Sequence, residues 1–154
     1  MNNYLKAILS IVTCLAVGGI SGYITADAIP GWYVTINKPT FNPPNWIFGP
    51  VWTTLYIMMG IAFFLIWKSQ SPLKHKAKLI FAVQLILNFF WSILFFNFHL
   101  LGFALIEILC MWLFILLSII SFYPVSKLAA YLLIPYLLWV SFASILNFAI
   151  WQLN

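Results

Sequence analysis

Five long apolar runs, separated by short polar or proline-containing segments, dominate the chain. They each have 20 to 24 residues and cover residues 4–26, 47–67, 79–98, 101–122 and 128–151. A helix needs about 20 apolar residues to cross a hydrocarbon core about 30 Å thick, so each run matches one crossing. Near-continuous apolar runs of this length are typical of helices rather than barrel strands, because a helix satisfies its own backbone in lipid. The sequence therefore predicts an all-α, polytopic membrane protein, with residues 1–154 forming a single bundle of five transmembrane helices.

The composition excludes the other common classes of protein. Hydrophobic residues make up 65% of the chain and charged residues only 6%, whereas a soluble domain has about 25% charged residues. Disorder requires low hydrophobicity together with high net charge, so disorder is excluded as well. A net charge of +5 would suggest a nucleic-acid partner in a soluble protein. Here the lysines lie between the apolar runs, so we expect the lipid bilayer as partner and no nucleic acid.

The distribution of the lysines predicts an orientation in the membrane. Six of them fall on one face of a bundle with five crossings: Lys6, Lys68, Lys74, Lys76, Lys78 and Lys127. The other face carries only Lys38, together with Asp27. Because positive charge gathers on the cytoplasmic side, we expect the N-terminus and the segment 68–78 in the cytoplasm of a bacterial cell and the C-terminus outside.

The first apolar run allows a second interpretation. Lys6, the apolar stretch and Ala26-Asp27-Ala28 resemble a secretory signal peptide with a small-residue cleavage site. The stretch is longer than the ~7–15 residues of a signal-peptide core. We therefore favour a membrane-spanning helix for this run.

The connection between the first two runs, residues 27–46, is unusually long. The segment 29–50, I-P-G-W-Y-V-T-I-N-K-P-T-F-N-P-P-N-W-I-F-G-P, holds five of the eight prolines. A loop of this length is usually functional or disordered, and this one is too aromatic to be disordered. One interpretation is an aromatic belt, with Trp32, Tyr33 and Trp46 near the lipid headgroups. The interpretation that we favour is a proline-stiffened lid over the bundle, and we call residues 27–46 the lid loop.

Aromatic, polar and small residues of three predicted helices fall at one depth beneath the lid loop. Within each helix they recur every three or four residues, and therefore share a face. At ~1.5 Å per residue these side chains lie between the middle of the bilayer and the lid loop: Trp52, Tyr56, Asn88, Trp91, Ser92, Trp139, Ala143 and Asn147. The pattern predicts that three helices present these side chains to one another.

Two roles are open for the polar members of this set. Polar groups inside a bilayer are costly and usually face the protein interior, where they either hydrogen-bond neighbouring helices or contact a ligand. For Gln84 we favour the hydrogen-bonding role. For Asn88 and its neighbours we favour a cavity, because small-molecule sites are mostly apolar with a few placed polar groups. Flat indole and phenol faces suit a planar, hydrophobic ligand.

The remaining reactive side chains do not form a familiar catalytic or metal site. Glu107 is the only carboxylate within a run; it could relay protons or pair with a cation, but we favour a side chain that reaches water. His99 lacks cysteine or carboxylate ligands at suitable spacing, so no protein metal site is expected, although the imidazole could ligate a haem iron. Cys14 and Cys110 are interpreted as apolar residues rather than a disulfide. The sequence has no phosphate-binding loop, catalytic triad or paired carboxylates.

Three ordered motifs resemble one known family. Residues 32–60, W-Y-V-T-I-N-K-P-T-F-N-P-P-N-W-I-F-G-P-V-W-T-T-L-Y-I-M-M-G, resemble the signature of the translocator protein family. Residues 84–96, Q-L-I-L-N-F-F-W-S-I-L-F-F, are similar to its third helix, and residues 132–147, L-L-I-P-Y-L-L-W-V-S-F-A-S-I-L-N, to its fifth. That family includes the bacterial tryptophan-rich sensory proteins and the mitochondrial peripheral-type benzodiazepine receptor. The resemblance covers nearly the whole chain.

The resemblance implies a five-helix bundle, commonly a homodimer, that binds lipophilic ligands beneath the first loop. Ligands across the family include protoporphyrin IX, haem-related tetrapyrroles, sterols in animal members, and isoquinoline carboxamide and benzodiazepine-type drugs. No cofactor is required, since porphyrin or haem enters as a ligand. Carried onto matching positions, the ligand-binding residues are Tyr33, Trp52, Tyr56, Asn88, Trp91, Ser92, Trp139, Phe142, Ala143 and Asn147. No basic residue follows Tyr136, and the absence of a sterol motif there weakens the case for sterol transport.

The function predicted from the residues and the resemblance together is a membrane receptor or carrier for porphyrins and similar planar ligands. Its role would be tetrapyrrole transport, sensing or stress response. One alternative is an enzyme, because some bacterial members of the family degrade protoporphyrin in light and the tryptophans matching Trp52 and Trp139 are implicated as catalytic. A second alternative is a regulatory partner of another membrane complex, docking through the lysine-rich segment 68–78.

Overall fold

The computed structural model describes residues 2–154, and this range contains helices and turns but no strand. The helices are α1 (Asn3–Thr25), α2 (Asn45–Lys68), α3 (Lys74–Ser92), α4 (Leu101–Phe122), α5 (Lys127–Leu132) and α6 (Ile134–Leu153), with π-helical turns at Ile29–Tyr33 and Ile93–Asn97. Five helical segments are long and apolar enough to cross a membrane, with α5 and α6 together forming the fifth. The predicted all-α membrane bundle is confirmed.

The start of the third helix differs from the sequence prediction, and the difference places lysines on the helix. Helix α3 begins at Lys74, five residues before the predicted start, so that Lys76 and Lys78 lie on its first turns rather than in a loop. Lysine is a good helix former, and its long stem can lie along apolar surface while the ammonium reaches water. The connection between α2 and α3 is therefore short, and Lys74 Nζ donates to the carbonyl of Ser69 across it at 2.9 Å.

The fifth crossing is interrupted at Leu133, between α5 and α6. Pro135 has no N–H to donate, and its ring clashes with the carbonyl four residues earlier, that of Tyr131, so a continuous helix is disfavoured there. Helix α6 can then take its own direction, which carries its inward face under the lid loop.

The two ends of the bundle are packed differently. We call them the lysine end, where α2 ends and α3 begins, and the lid end, where the lid loop lies. Near the lysine end, the ring of Phe81 stacks on Phe63 at 5.1 Å and on Phe122 at 5.6 Å between centroids. A Cβ built at Gly60 would lie 2.5 Å from the Cα of Ile11, so α1 and α2 are in direct backbone contact there. Side chains and closely packed helices therefore fill the core at the lysine end, and the cavity described below lies at the lid end.

Candidate functional site

A cavity of about 420 Å³ lies beneath the lid loop at the lid end, between α1, α2, α3 and α6. Its walls are mainly aromatic rings, glycines and aliphatic side chains, with a few amides and hydroxyls among them. Nine of the ten residues predicted as ligand contacts line this cavity: Tyr33, Trp52, Tyr56, Asn88, Trp91, Ser92, Trp139, Ala143 and Asn147. The structure thus brings together residues that lie more than a hundred positions apart in the chain.

The tenth predicted residue, Phe142, is not part of the cavity wall. It follows Trp139 by three positions on α6, at the edge of the face that carries Ala143 one position later. Its ring packs against Trp139 at 5.5 Å and against Phe41 of the lid loop at 6.4 Å between centroids. Phe142 therefore supports the wall and the lid loop rather than facing the cavity.

A chain of hydrogen bonds among buried side chains joins α2, α3 and α6 at the inner end of the cavity. The hydroxyl of Tyr56 donates to Asn88 Oδ1, and Asn88 Nδ2 donates to the hydroxyl oxygen of Tyr136 at 2.8 Å. Tyr136 in turn donates to Gln84 Oε1 at 2.9 Å. Gln84 lies outside the cavity lining and takes the interhelical role that its sequence position favoured. Asn88 combines the two roles, since it both joins helices and lines the cavity.

A second set of polar contacts holds the wall closer to the lid loop. Trp91 Nε1 donates to Asn147 Oδ1 at 3.1 Å, and Asn147 Nδ2 donates to the carbonyl of Leu101 at 2.9 Å. The hydroxyls of Thr25 and Ser92 lie 3.3 Å apart. Because these groups satisfy one another, the indole of Trp91 presents mainly its apolar ring to the cavity.

One donor in the wall is left without a partner. Trp139 Nε1 is buried and makes no hydrogen bond to any described residue. A buried donor that lacks a partner costs about 1–3 kcal/mol, so such groups call for an explanation. The cavity lining within residues 2–154 also contains no lysine, histidine or carboxylate. The wall is therefore suited to an uncharged aromatic body that carries a hydrogen-bond acceptor opposite Trp139.

Tyr33 and Lys38 hold the lid loop together through hydrogen bonds within the loop. The hydroxyl of Tyr33 donates to Asn42 Oδ1 at 2.7 Å, and Lys38 Nζ donates to the carbonyls of Tyr33 and Ile36 at 2.7 and 2.9 Å. Burial raises the pKa of the Tyr33 phenol to about 12, although the Asn42 hydrogen bond opposes the shift. The stability that comes from the neutral phenol is complete below the ordinary pKa of 10.0 and is lost as the pH rises through about 12.

Two contacts fasten the lid loop to the rest of the protein. The indole of Trp32 stacks on the imidazole of His99 with centroids 4.0 Å apart and planes 15° apart, and His99 adopts a left-handed φ of 55° in the turn before α4. Farther along, the backbone N–H of Asn37 donates to Asn154 Oδ1 and Asn154 Nδ2 donates to the Asn37 carbonyl, both at 2.9 Å. Of the three residues considered for an aromatic belt, Trp32, Tyr33 and Trp46, Trp46 alone is exposed, at 74%.

Sequence reasoning missed the whole wall contributed by α1, together with some lining residues of other elements. On α1 a small-residue face runs through Cys14, Gly18, Ser21 and Thr25, at spacings of four, three and four. That spacing was the available signal. A Cβ at Gly18 would overlap the ring of Tyr56, so the glycine lets that ring lie against α1. Further lining side chains that the sequence analysis did not name include Phe95 and Phe96 from the π-helical turn, Phe48 and Thr53 from α2, and Leu146 and Ile150 from α6.

Glu107 does not reach water, contrary to the sequence interpretation. Both of its carboxylate oxygens are buried without a hydrogen-bond partner among the described residues. The residue as a whole is half-buried, and it lies about one turn from both Ala104 and Met111 of α4, which are fully buried. It does not line the cavity. Among the described residues, no group of three or more histidine, cysteine, aspartate or glutamate side chains lies close enough together to hold a metal ion.

The amino-acid sequence is similar to those of several known proteins. Residues 10–152 match the TspO/MBR family. The chain is 43% identical to the tryptophan-rich protein TspO of Archaeoglobus fulgidus over 99% of both chains. It is 45% identical to the protein of the same name from Chlorobaculum tepidum over 95% of this chain and 94% of that protein. Identity to the human translocator protein is 39%, over 80% of this chain and 75% of the human one. With its five apolar helices, the chain is a multi-pass membrane protein that belongs to the TspO/MBR family.

Proposed function

We propose that this protein is a membrane receptor or carrier that binds protoporphyrin IX, haem-related tetrapyrroles and similar planar, lipophilic molecules in the cavity under the lid loop. The observation that carries the proposal is a cavity of about 420 Å³ with Trp52, Trp91 and Trp139 in its wall. This volume is within the ~300–1,000 Å³ of small-molecule sites. Stacking on flat indole faces favours a planar ring system over a flexible chain.

The charge of the wall constrains how a porphyrin would lie. No charged side chain lines the cavity within the described residues, and burying a carboxylate without a partner is very costly. The macrocycle would therefore occupy the aromatic part of the cavity, and the propionate groups would point out of it toward the headgroups and water. The unpartnered N–H of Trp139 would meet an acceptor on the ligand.

We expect protoporphyrin IX to quench the tryptophan fluorescence of the protein saturably, and Trp52→Phe and Trp139→Phe to weaken this binding. Loss of aromatic contact worth about 0.5–1.5 kcal/mol corresponds to a decrease in affinity of about two- to twelvefold. Titration in detergent or nanodiscs measures the effect. Trp67→Phe is the matched control, since Trp67 lies on α2 at the lysine end and outside the cavity lining. Wild-type affinity in both cavity variants would show that the ligand binds elsewhere.

We also propose that the protein lies in a bacterial cell membrane with its lysine end in the cytoplasm and its lid loop outside. Six lysines at one end against one at the other support this orientation through the positive-inside rule. Alkaline phosphatase fused after Asn154 should then be active outside the cell, whereas the same reporter inserted between α2 and α3 should be inactive. The reverse pattern would contradict the orientation.

A further inference from the structure

The wall of the cavity is closed on one side and open on the other. The lining residues from α3 and α6 are buried or half-buried. In contrast, the lining residues that are exposed on the protein surface come only from α1, the start of α2 and the lid loop between them: Gly19, Gly22, Ile29, Asn45, Gly49 and Thr53. The cavity therefore communicates with the surroundings through the side of the bundle.

Three glycines keep this side open. A Cβ built at Gly19, Gly22 or Gly49 would meet no atom within 4 Å. These glycines differ from Gly18 and Gly60, where an added Cβ would collide with Tyr56 and with α1. Gly18 therefore serves close packing of α1 against α2, whereas Gly19 and Gly22 do not. At those two positions the missing side chain leaves a gap rather than a contact.

The gap lies at the lid end of two membrane-spanning segments, where the lipid chains meet the headgroups. Gly22 is in the last turn of α1, and Thr53 is about 12 Å along α2 from its first residue at 1.5 Å per residue, so the gap is within two membrane-spanning segments. Its rim carries apolar side chains that are exposed on the protein surface: Ile20 at 53%, Ile24 at 43% and Ile57 at 38%. Such side chains are stable against lipid and costly in water. The gap therefore opens into the bilayer.

The alternative way into the cavity, from above, is blocked by a fastened lid loop. The stack of Trp32 on His99 and the paired amide contacts of Asn37 with Asn154 tie the loop to the α3–α4 turn and to α6. Opening it would require both contacts to break, together with exposure of Tyr33, which is only 4% exposed.

We propose that ligands enter and leave the cavity sideways from the bilayer, through a portal between α1 and α2 whose threshold is formed by Gly19, Gly22 and Gly49. This inference rests on the proposed function, because it requires a ligand that dissolves in lipid. A flat macrocycle passes edge-on between the two helices while the lid loop stays in place. The portal also selects against water-soluble molecules, since these do not accumulate at its rim.

Filling the portal tests the proposal. The test uses the single variant Gly22→Leu and the double variant that combines Gly19→Leu with Gly22→Leu. In both, the association and dissociation rate constants of protoporphyrin IX should fall by about tenfold, which corresponds to a barrier raised by about 1.4 kcal/mol. A barrier slows entry and exit alike, so the portal predicts that both rate constants fall; slower association with unchanged or faster dissociation would show instead that the leucine takes up ligand space in the cavity, whose lining includes both glycines. Stopped-flow quenching of tryptophan fluorescence in phosphatidylcholine nanodiscs measures the rates. Gly22→Ala should slow both rates less. Leucine and alanine favour helix over glycine, and circular dichroism checks the fold.

Two further variants separate the portal from its alternatives. Ala16→Leu adds bulk to the exposed face of α1 outside the cavity lining and should leave both rates unchanged. Asn154→Ala removes one fastening of the lid loop, and under lateral access it also leaves the rates unchanged. Unaltered rates in the glycine variants, or faster rates in Asn154→Ala, would overturn the portal while the wild-type affinity still supports the proposed function. Absence of binding to the wild type would overturn the proposed function itself and the portal with it.

Discussion

Replacing Ala143 by leucine should lower the affinity for protoporphyrin IX by about ten- to a hundredfold, because the added carbons occupy space that the ligand needs. Ala143 faces the cavity and is 8% exposed. Overpacking a filled site costs about 1–3 kcal/mol, and in this variant the cost arises only when the ligand is bound. Without ligand, the larger side chain fills part of the cavity of about 420 Å³, so the thermal midpoint should stay the same or rise.

The opposite signs of these two effects make the experiment decisive. A variant that lost binding through misfolding would lose both affinity and thermal stability. Ala149→Leu is the matched control, since Ala149 lies on the same helix, is half-buried and does not line the cavity. It should bind protoporphyrin IX like the wild type. If Ala143→Leu retained full affinity, the cavity would not be the ligand site.

Replacing Asn88 by leucine should destabilise the folded protein by about 1–3 kcal/mol. The change removes the acceptor of the Tyr56 hydroxyl and the donor to the hydroxyl oxygen of Tyr136. The Tyr56 hydroxyl is then left buried without its partner, whereas Tyr136 still donates to Gln84. Thermal unfolding in a mild detergent, followed by circular dichroism, measures the loss. Asn97→Ala is the control, since Asn97 is exposed and makes one contact, to the Ile24 carbonyl.

A second substitution shows whether the hydrogen bond itself is responsible. In a Tyr56→Phe background the hydroxyl is already absent, so Asn88→Leu should cost less than in the wild type. A double-mutant cycle isolates this coupling. Additive effects of the two substitutions would contradict the hydrogen-bonded chain as the origin of the stability.

Much of the site could be predicted because helical spacing is a local property. Trp52 and Tyr56 are four positions apart, and so are Trp139 and Ala143, so each pair shares a face whatever the neighbouring helices do. Depth could be counted along each helix as well. Phe142 illustrates the limit, since it lies at the edge of such a face. Whether an edge residue faces the cavity depends on where the adjacent helix and the lid loop lie.

Glu107 and the α1 glycines also show that burial and packing cannot be predicted from position along a helix alone. The position of Glu107 in its helix is compatible with a side chain that reaches water, and only the packing around α4 buries both oxygens. Gly18 and Gly22 are four positions apart and look equivalent in the sequence. In the structure, Gly18 lies against the ring of Tyr56 and Gly22 lies beside open space.

By itself, the sequence determined the number of crossings, the all-helical class, the family resemblance and the inward faces of three helices. These depend on hydropathy and on helical periodicity, which are read along one chain segment at a time. The tertiary structure alone decided which faces meet, that α1 supplies a fourth wall, that Asn37 and Trp32 fasten the lid loop, and that the cavity is open between α1 and α2. Those features depend on distances between residues far apart in the chain, because the space left between helices is a property of their packing and not of any one of them.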